Sequence, residues 1–340
     1  MFAGIHDTIG LLKAFARPRR LGNAIKLYFS YGLGKVLGKP IRWGMPMAMS
    51  IEPTTACNLG CPQCPSGLKQ FTRPTGKMDL ANFEKVIQDN ADNAGYITLY
   101  FQGEPYINKD FTDMIALATQ NGMYTATSSN AHFLTPETCE KTVKAGLNRM
   151  IISIDGASQE TYAKYRIHGD FQQVVDGTRN MLKAKQKLGA KKPVIIWQFI
   201  VFAHNEHEVT AIRRLAKEIG VDKLVLKTAQ IYDYQHAEDW IPVQNQYSRY
   251  DKKADKVTIK AKHQNHCWRM HSNPVVTWDG NMVPCCFDKD ASHNMGNVLS
   301  LGTQAAWEGE AFDGFRKNLN AGRGEIDICS NCTEGVKVWI

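Results

Sequence analysis

From Met47 to Lys227 the chain alternates six times between a short apolar run and a longer stretch of helical periodicity. The apolar runs lie at 47–53, 95–101, 123–128, 149–155, 193–203 and 221–227. The helical stretches between them lie at 79–92, 109–121, 135–145, 171–188 and 205–219. Asp79 and Thr135 stand at N-cap positions, where a side-chain oxygen accepts from the orphan N–H groups of a first turn. Gly122, Gly146, Gly189 and Gly220 stand where helices give way to loops. Strands separated by helices run parallel, because each crossover returns the chain to the same end of the sheet. The pattern predicts a parallel α/β architecture whose ligand site lies at the C-terminal ends of the strands.

The loop after the first strand reads Cys57-Asn-Leu-Gly-Cys61-Pro-Gln-Cys64. Three thiolates on so short a loop can hold three corners of a cubane iron–sulfur cluster and leave the fourth iron open for chemistry. A structural zinc knuckle is the competing reading, although it wants a fourth ligand and no histidine follows closely. Other loops at the same end carry polar groups. Gly103-Glu104 follows strand two, Ser128-Ser129-Asn130 follows strand three, and strand four ends at Ser153 and Asp155 with Arg166 beyond. Glu104 can accept from an ammonium group, Ser153, Asp155 and Asn130 can hold hydroxyls, and Arg166 can clamp a carboxylate.

No stretch approaches the roughly 18 consecutive apolar residues of a membrane span. Asp7 and the placement of the Arg17–Arg20 cluster do not fit a signal peptide. The expected location is therefore cytoplasmic, and the nine cysteines are expected to be metal ligands rather than disulfides. The net charge of +8 is concentrated in residues 1–45, which hold eight Lys/Arg and one acid. The rest of the chain is nearly neutral, so nothing points to nucleic acid. Residues 1–45 also carry apolar residues at helical spacing. They are read as helices capping the main domain, with peripheral contact to a membrane as the alternative.

After a polar bridge at 230–265, a second module holds Cys267, Cys285, Cys286, Cys329 and Cys332. Val275 to Val283 forms a hairpin pattern around Asp279-Gly280-Asn281. A hairpin would bring Cys267 and Cys285 together, and Cys329-x₂-Cys332 would complete a closed four-thiolate site for iron–sulfur or zinc. Spacing alone does not separate Cys285 from Cys286. Cys139 lies mid-helix and is read as a packed core residue.

These motifs resemble the radical S-adenosylmethionine (SAM) superfamily, in its branch with a C-terminal SPASM or twitch domain. The resemblance covers roughly residues 46–340, with a radical SAM barrel at 46–229 and the auxiliary domain at 266–340. It implies a partial (β/α)₆ TIM-like barrel. It implies that Cys57, Cys61 and Cys64 hold a [4Fe–4S] cluster that binds SAM. Gly103 and Glu104 then meet the SAM amino group, and Asn130, Ser153, Asp155 and Arg166 meet its ribose or carboxylate. Cys267, Cys285, Cys329 and Cys332 would ligate a second [4Fe–4S] cluster, as in the one-cluster form of the domain. Gln102 and Gln63 depart from the usual motif without removing a ligand.

In the family, reductive cleavage of SAM gives a 5′-deoxyadenosyl radical that abstracts hydrogen, with electrons from a flavodoxin- or ferredoxin-type donor. The expected reaction is net oxidation of a small molecule, with the auxiliary cluster as electron acceptor and Asp288 or Lys227 as base or clamp. The alternatives are a peptide epimerase or crosslinking maturase, and an iron–sulfur scaffold or sensor without turnover.

Overall fold

The computed structural model describes residues 4–232, 239–253, 256–260 and 263–334. Six strands run parallel and in chain order: β1 (Ala48–Ile51), β2 (Tyr96–Thr98), β3 (Tyr124–Ser129), β4 (Arg149–Ser153), β5 (Val194–Val201) and β6 (Lys223–Thr228). This is the expected parallel α/β sheet, with each helix crossing back over it. The caps lie where expected. Asp79 accepts from the Asn82 amide at 2.7 Å, and Thr135 from that of Thr138 at 3.2 Å. Gly146 and Gly220 close their helices in the left-handed conformation. Helices not foreseen include Gln159–Tyr165, capped by Ser158, and Glu310–Gly322 in the C-terminal module.

The hydrophobic core is continuous. Met49, Ile97, Met150, Ile152, Trp197 and Phe199 are buried in one cluster with Val276, Met282, Trp307 and Phe312 of the C-terminal module. Each such side chain contributes about 1.5–3 kcal/mol by leaving water. Cys139 is fully buried in the same core.

The bridge at 230–265 lies partly outside the described residues, at 233–238, 254–255 and 261–262. Within it β7 (Tyr250–Lys253) pairs antiparallel with β8 (Lys256–Ile259). The predicted hairpin forms from β9 (Val275–Val276) and β10 (Met282–Val283), with Gly280 at φ +87° in its turn. Its placement is the main surprise. β9 lies parallel to β1 and extends the sheet to eight strands in the order β10-β9-β1-β2-β3-β4-β5-β6.

Two helices precede the barrel, α1 (Ile5–Phe15) and α2 (Pro18–Leu37). The fully buried Arg20 fastens them at the N-terminal end of the sheet by donating to the carbonyls of Ala14, Ala91, Asn121 and Gly122. Asp7, also buried, accepts from Tyr124 and pairs with Arg149. Further along, Tyr28 stacks on Trp268 at 4.3 Å, so α2 reaches the C-terminal module.

Candidate active site

The cysteine loop is held from three sides. Glu52, just after β1, is fully buried. Arg73 donates to its two oxygens at 2.8 and 2.6 Å, and the Trp278 amide to one of them at 3.2 Å. Burial pushes the Glu52 carboxyl up, and the Arg73 guanidinium opposes this. One carboxylate thus ties β1, the returning arm of the loop and the hairpin together. On the second side the Gly60 amide donates to the Ile167 carbonyl at 2.9 Å. On the third, the Gly103 amide donates to Ser66 Oγ and the Glu104 amide to the Ala56 carbonyl. Gly103 has φ +73°, and a Cβ there would lie 2.4 Å from the Thr54 carbonyl oxygen. Only glycine lets the two loops meet this closely.

Cys57, Cys61 and Cys64 line one cavity of about 150 Å³ with Gly103, Glu104, Asn130, Ser153 and Arg166. The three sulfurs lie near different polar groups: Cys57 near Asn130 (4.0 Å), Cys61 near Arg166 (3.8 Å) and Cys64 near Gln102 (4.0 Å). Burial pushes the Cys57 thiol up to about 12 and that of Cys61 upward as well. Thiols so placed ionise only with a positive partner, as metal ligands do. Among the described residues, no three His, Cys, Asp or Glu side chains converge on a single ion. A cluster in which each thiolate binds a different iron does not require that they do.

Glu104 is buried and accepts from Ser129 Oγ (2.8 Å), the Asn130 amide (2.7 Å) and the Tyr106 amide (3.3 Å). Burial raises it to about 7, against the pull of these bonds. A cationic amino group beside it would favour the ionised form. The sign follows: below about pH 7 the free site is increasingly protonated and loses attraction for an ammonium. SAM affinity at the iron-loaded site is therefore expected to fall as pH drops from 8 to 6, and Glu104→Gln to flatten that dependence. Calorimetric titration across this range is the check.

Asp155 is fully buried and does not line the cavity. It accepts from Arg166 Nε and from the Ile200 amide, both at 2.6 Å. It reaches the cavity only by fixing Arg166.

The second set of cysteines gathers as the hairpin pattern suggests. Cys267, Cys285, Cys329 and Cys332 are all buried, and Cys285 lies within electrostatic reach of Cys267 and Cys332. Arg323, 2% exposed, lies against the set and donates to the Cys332 sulfur at 3.5 Å. Cys286 is more exposed and faces other groups, among them Tyr100, Arg269, Lys289 and Tyr232. The Lys289 ammonium sits 4.0 Å over the Tyr232 ring and within electrostatic reach of Cys64. Asp288 is 1% exposed, and its two oxygens accept from the amides of Ser292 and His293. Lys227 is exposed on β6, in reach of Arg269, Glu334 and Arg249. Sequence reasoning passed over Glu52, Tyr100, Lys289 and Arg323. Nothing local distinguishes them from the chain's other charged and aromatic residues.

A partial parallel barrel with three cysteines on its first loop, joined to a closed cysteine set, is the arrangement of one enzyme class. Residues 51–219 match the radical SAM superfamily and residues 267–333 the SPASM iron–sulfur cluster-binding domain. The chain belongs to the radical SAM superfamily, in its SPASM branch. Its cofactors are SAM, a SAM-binding [4Fe–4S] cluster and an auxiliary iron–sulfur cluster.

The AdoMet-dependent heme synthase of Methanosarcina barkeri is 30% identical over 176 residues, 52% of this chain and 48% of that protein. The chain thus spans about half the length of that relative. The S-adenosyl-L-methionine-dependent 2-deoxy-scyllo-inosamine dehydrogenase of Niallia circulans is 23% identical over 293 residues, covering 84% of this chain and 91% of its own. The crystal structure of BtrN in complex with AdoMet and 2-DOIA shares the fold, with a TM-score of 0.54 at 19% identity over 86% of this chain and 94% of that one.

Proposed function

We propose that the protein is a radical SAM dehydrogenase that removes two hydrogens from a small molecule, with the auxiliary cluster taking the second electron. Arg323 carries this reading. A buried guanidinium beside four buried thiolate ligands stabilises the more negative, reduced state of a cluster, which suits an electron acceptor. The similarity to an aminocyclitol dehydrogenase along most of both chains supports the same class of reaction.

In this reading Cys57, Cys61 and Cys64 hold the SAM-binding cluster, and Cys267, Cys285, Cys329 and Cys332 the auxiliary one. Once bound and reduced, the first cluster and SAM supply a 5′-deoxyadenosyl radical. Glu104 takes the amino group of SAM. Arg166, braced by Asp155, takes its carboxylate, and Ser153 and Asn130 its ribose hydroxyls. Tyr100, which lines the cavity, helps close it to water. Lys289, whose burial lowers its pKa, accepts the substrate proton as the neutral amine. Asp288, with both oxygens engaged, instead shapes the turn after Cys286. Lys227 clamps substrate at the outer edge. A flavodoxin- or ferredoxin-type protein supplies the first electron.

The test is the mass of the product. Anaerobic incubation with a fractionated metabolite extract, SAM and a reductant is expected to yield 5′-deoxyadenosine together with a product lighter by two hydrogens. A product of unchanged mass would make the reaction a redox-neutral rearrangement or epimerisation and remove the acceptor role of the second cluster.

A further inference from the structure

The two N-terminal helices turn their bulky apolar side chains outward. On α2 the buried residues are Arg20, Asn23, Ala24, Leu27, Ser30 and Gly34, of which only Leu27 is large and apolar. The outer face carries Leu21, Ile25, Phe29 and Val36, which are 48, 57, 68 and 82% exposed. α1 adds Ile5 and Leu12, at 71 and 65%. A surface helix normally turns such a stripe to the core. Scattered exposed apolar residues need no explanation, but concentrated ones mark an interaction site. Among the described residues, ten of the sixteen large exposed apolar side chains fall between Ile5 and Trp43.

Charge identifies what covers this face. Lys13, Arg17, Lys26, Lys35 and Lys39 are exposed along it; the one acid of the two helices, Asp7, is buried against Arg149, and the neighbouring Asp92 and Glu308 pair with Arg19 and Arg42. Beside α1 a cavity of about 580 Å³ is lined by five basic side chains, His6, Lys13, Arg17, Lys191 and Lys192, and by no acid. A second copy is a poor occupant, because an isologous contact would set this basic face against itself. Among the described residues no helix is long and apolar enough to cross a membrane.

We propose that α1 and α2 dock the protein on an anionic phospholipid surface. The exposed apolar side chains enter the headgroup region, the lysines and arginines meet lipid phosphates, and the basic cavity beside α1 accepts one headgroup. α1 and the start of α2 lie at the N-terminal end of the strands, away from the cysteine loop at the other end.

The experiment is co-sedimentation of the full-length, iron-loaded protein with two kinds of vesicle. One is phosphatidylcholine alone, and the other contains about one third phosphatidylglycerol. The expected partition onto the anionic vesicles is at least about tenfold higher, and it falls as salt rises and screens the surface. Ile25→Ser/Phe29→Ser and, separately, Lys13→Glu/Lys26→Glu are each expected to lower it by about tenfold or more. Both variants should keep wild-type iron content, near-ultraviolet circular dichroism and SAM cleavage, because none of these four residues touches the cluster loops. Equal partition onto both vesicles, or none onto either, would overturn the proposal. So would a solution dimer that the Ile25→Ser/Phe29→Ser variant dissolves, which would make the face an interface between copies.

Discussion

Replacing Cys57, Cys61 and Cys64 together by alanine is expected to abolish SAM cleavage while leaving the second iron site loaded. The expected iron content falls from about eight per chain to about four, with acid-labile sulfide falling in step. The three side chains share a cavity with Glu104 and Arg166 and pack on a small cluster with Leu59, Tyr165 and Phe202, apart from the main core. The auxiliary cysteines draw on a different part of the chain, bound to the sheet through β9 and braced by Arg323. The two sites are therefore expected to lose iron independently. Loss of all iron in the triple variant would mean that the second site does not assemble by itself. Retained formation of 5′-deoxyadenosine would place SAM cleavage elsewhere.

Asp155→Ala is expected to be the most damaging single change in the site, although Asp155 does not face the cavity. It leaves the Arg166 guanidinium, whose side chain is 14% exposed, without its ion-pair partner, and leaves the Ile200 amide unsatisfied. Removing one member of a buried pair costs about 3–5 kcal/mol, because the remaining charge is left uncompensated. The denaturant midpoint should drop accordingly, and SAM affinity with it, since Arg166 loses its orientation. Asp155→Ala/Arg166→Ala should recover part of the stability but none of the affinity. A single variant within about 1 kcal/mol of wild type would show that water compensates Arg166, and the bracing role would fall.

How much of this was legible in the sequence depends on the range of the interaction. Periodicity and caps are local, so the six strands and the five crossover helices between them could be read from spacing. The loops at the strand ends could be placed for the same reason. The helix at Gln159–Tyr165 was missed because its neighbours Ser153, Asp155 and Arg166 drew the reading toward a ligand loop. The junction of β9 with β1 was not legible, because Val275-Val276 is too short to declare a partner more than two hundred residues away. Glu52 looked like an ordinary strand-end acid, and its bonds to Arg73 and Trp278 exist only in the folded chain. Cys285 and Cys286 differ in burial, a difference that adjacent residues do not reveal by spacing. The N-terminal segment is the most instructive case. Its helical period was visible, but not which face would be buried. The fold inverts the usual sense by using Arg20, Asn23 and Ser30 for contact.

SAM is proposed to bind at a cluster that Cys57, Cys61 and Cys64 would hold. The most direct measurement is the electron paramagnetic resonance spectrum of the reduced protein with SAM labelled by nitrogen-15 or oxygen-17. It would be made on Cys329→Ala/Cys332→Ala, so that only one cluster contributes. The account predicts hyperfine coupling from the label and continued formation of 5′-deoxyadenosine. A reduced cluster of unchanged spectrum, with neither coupling nor cleavage, would contradict it.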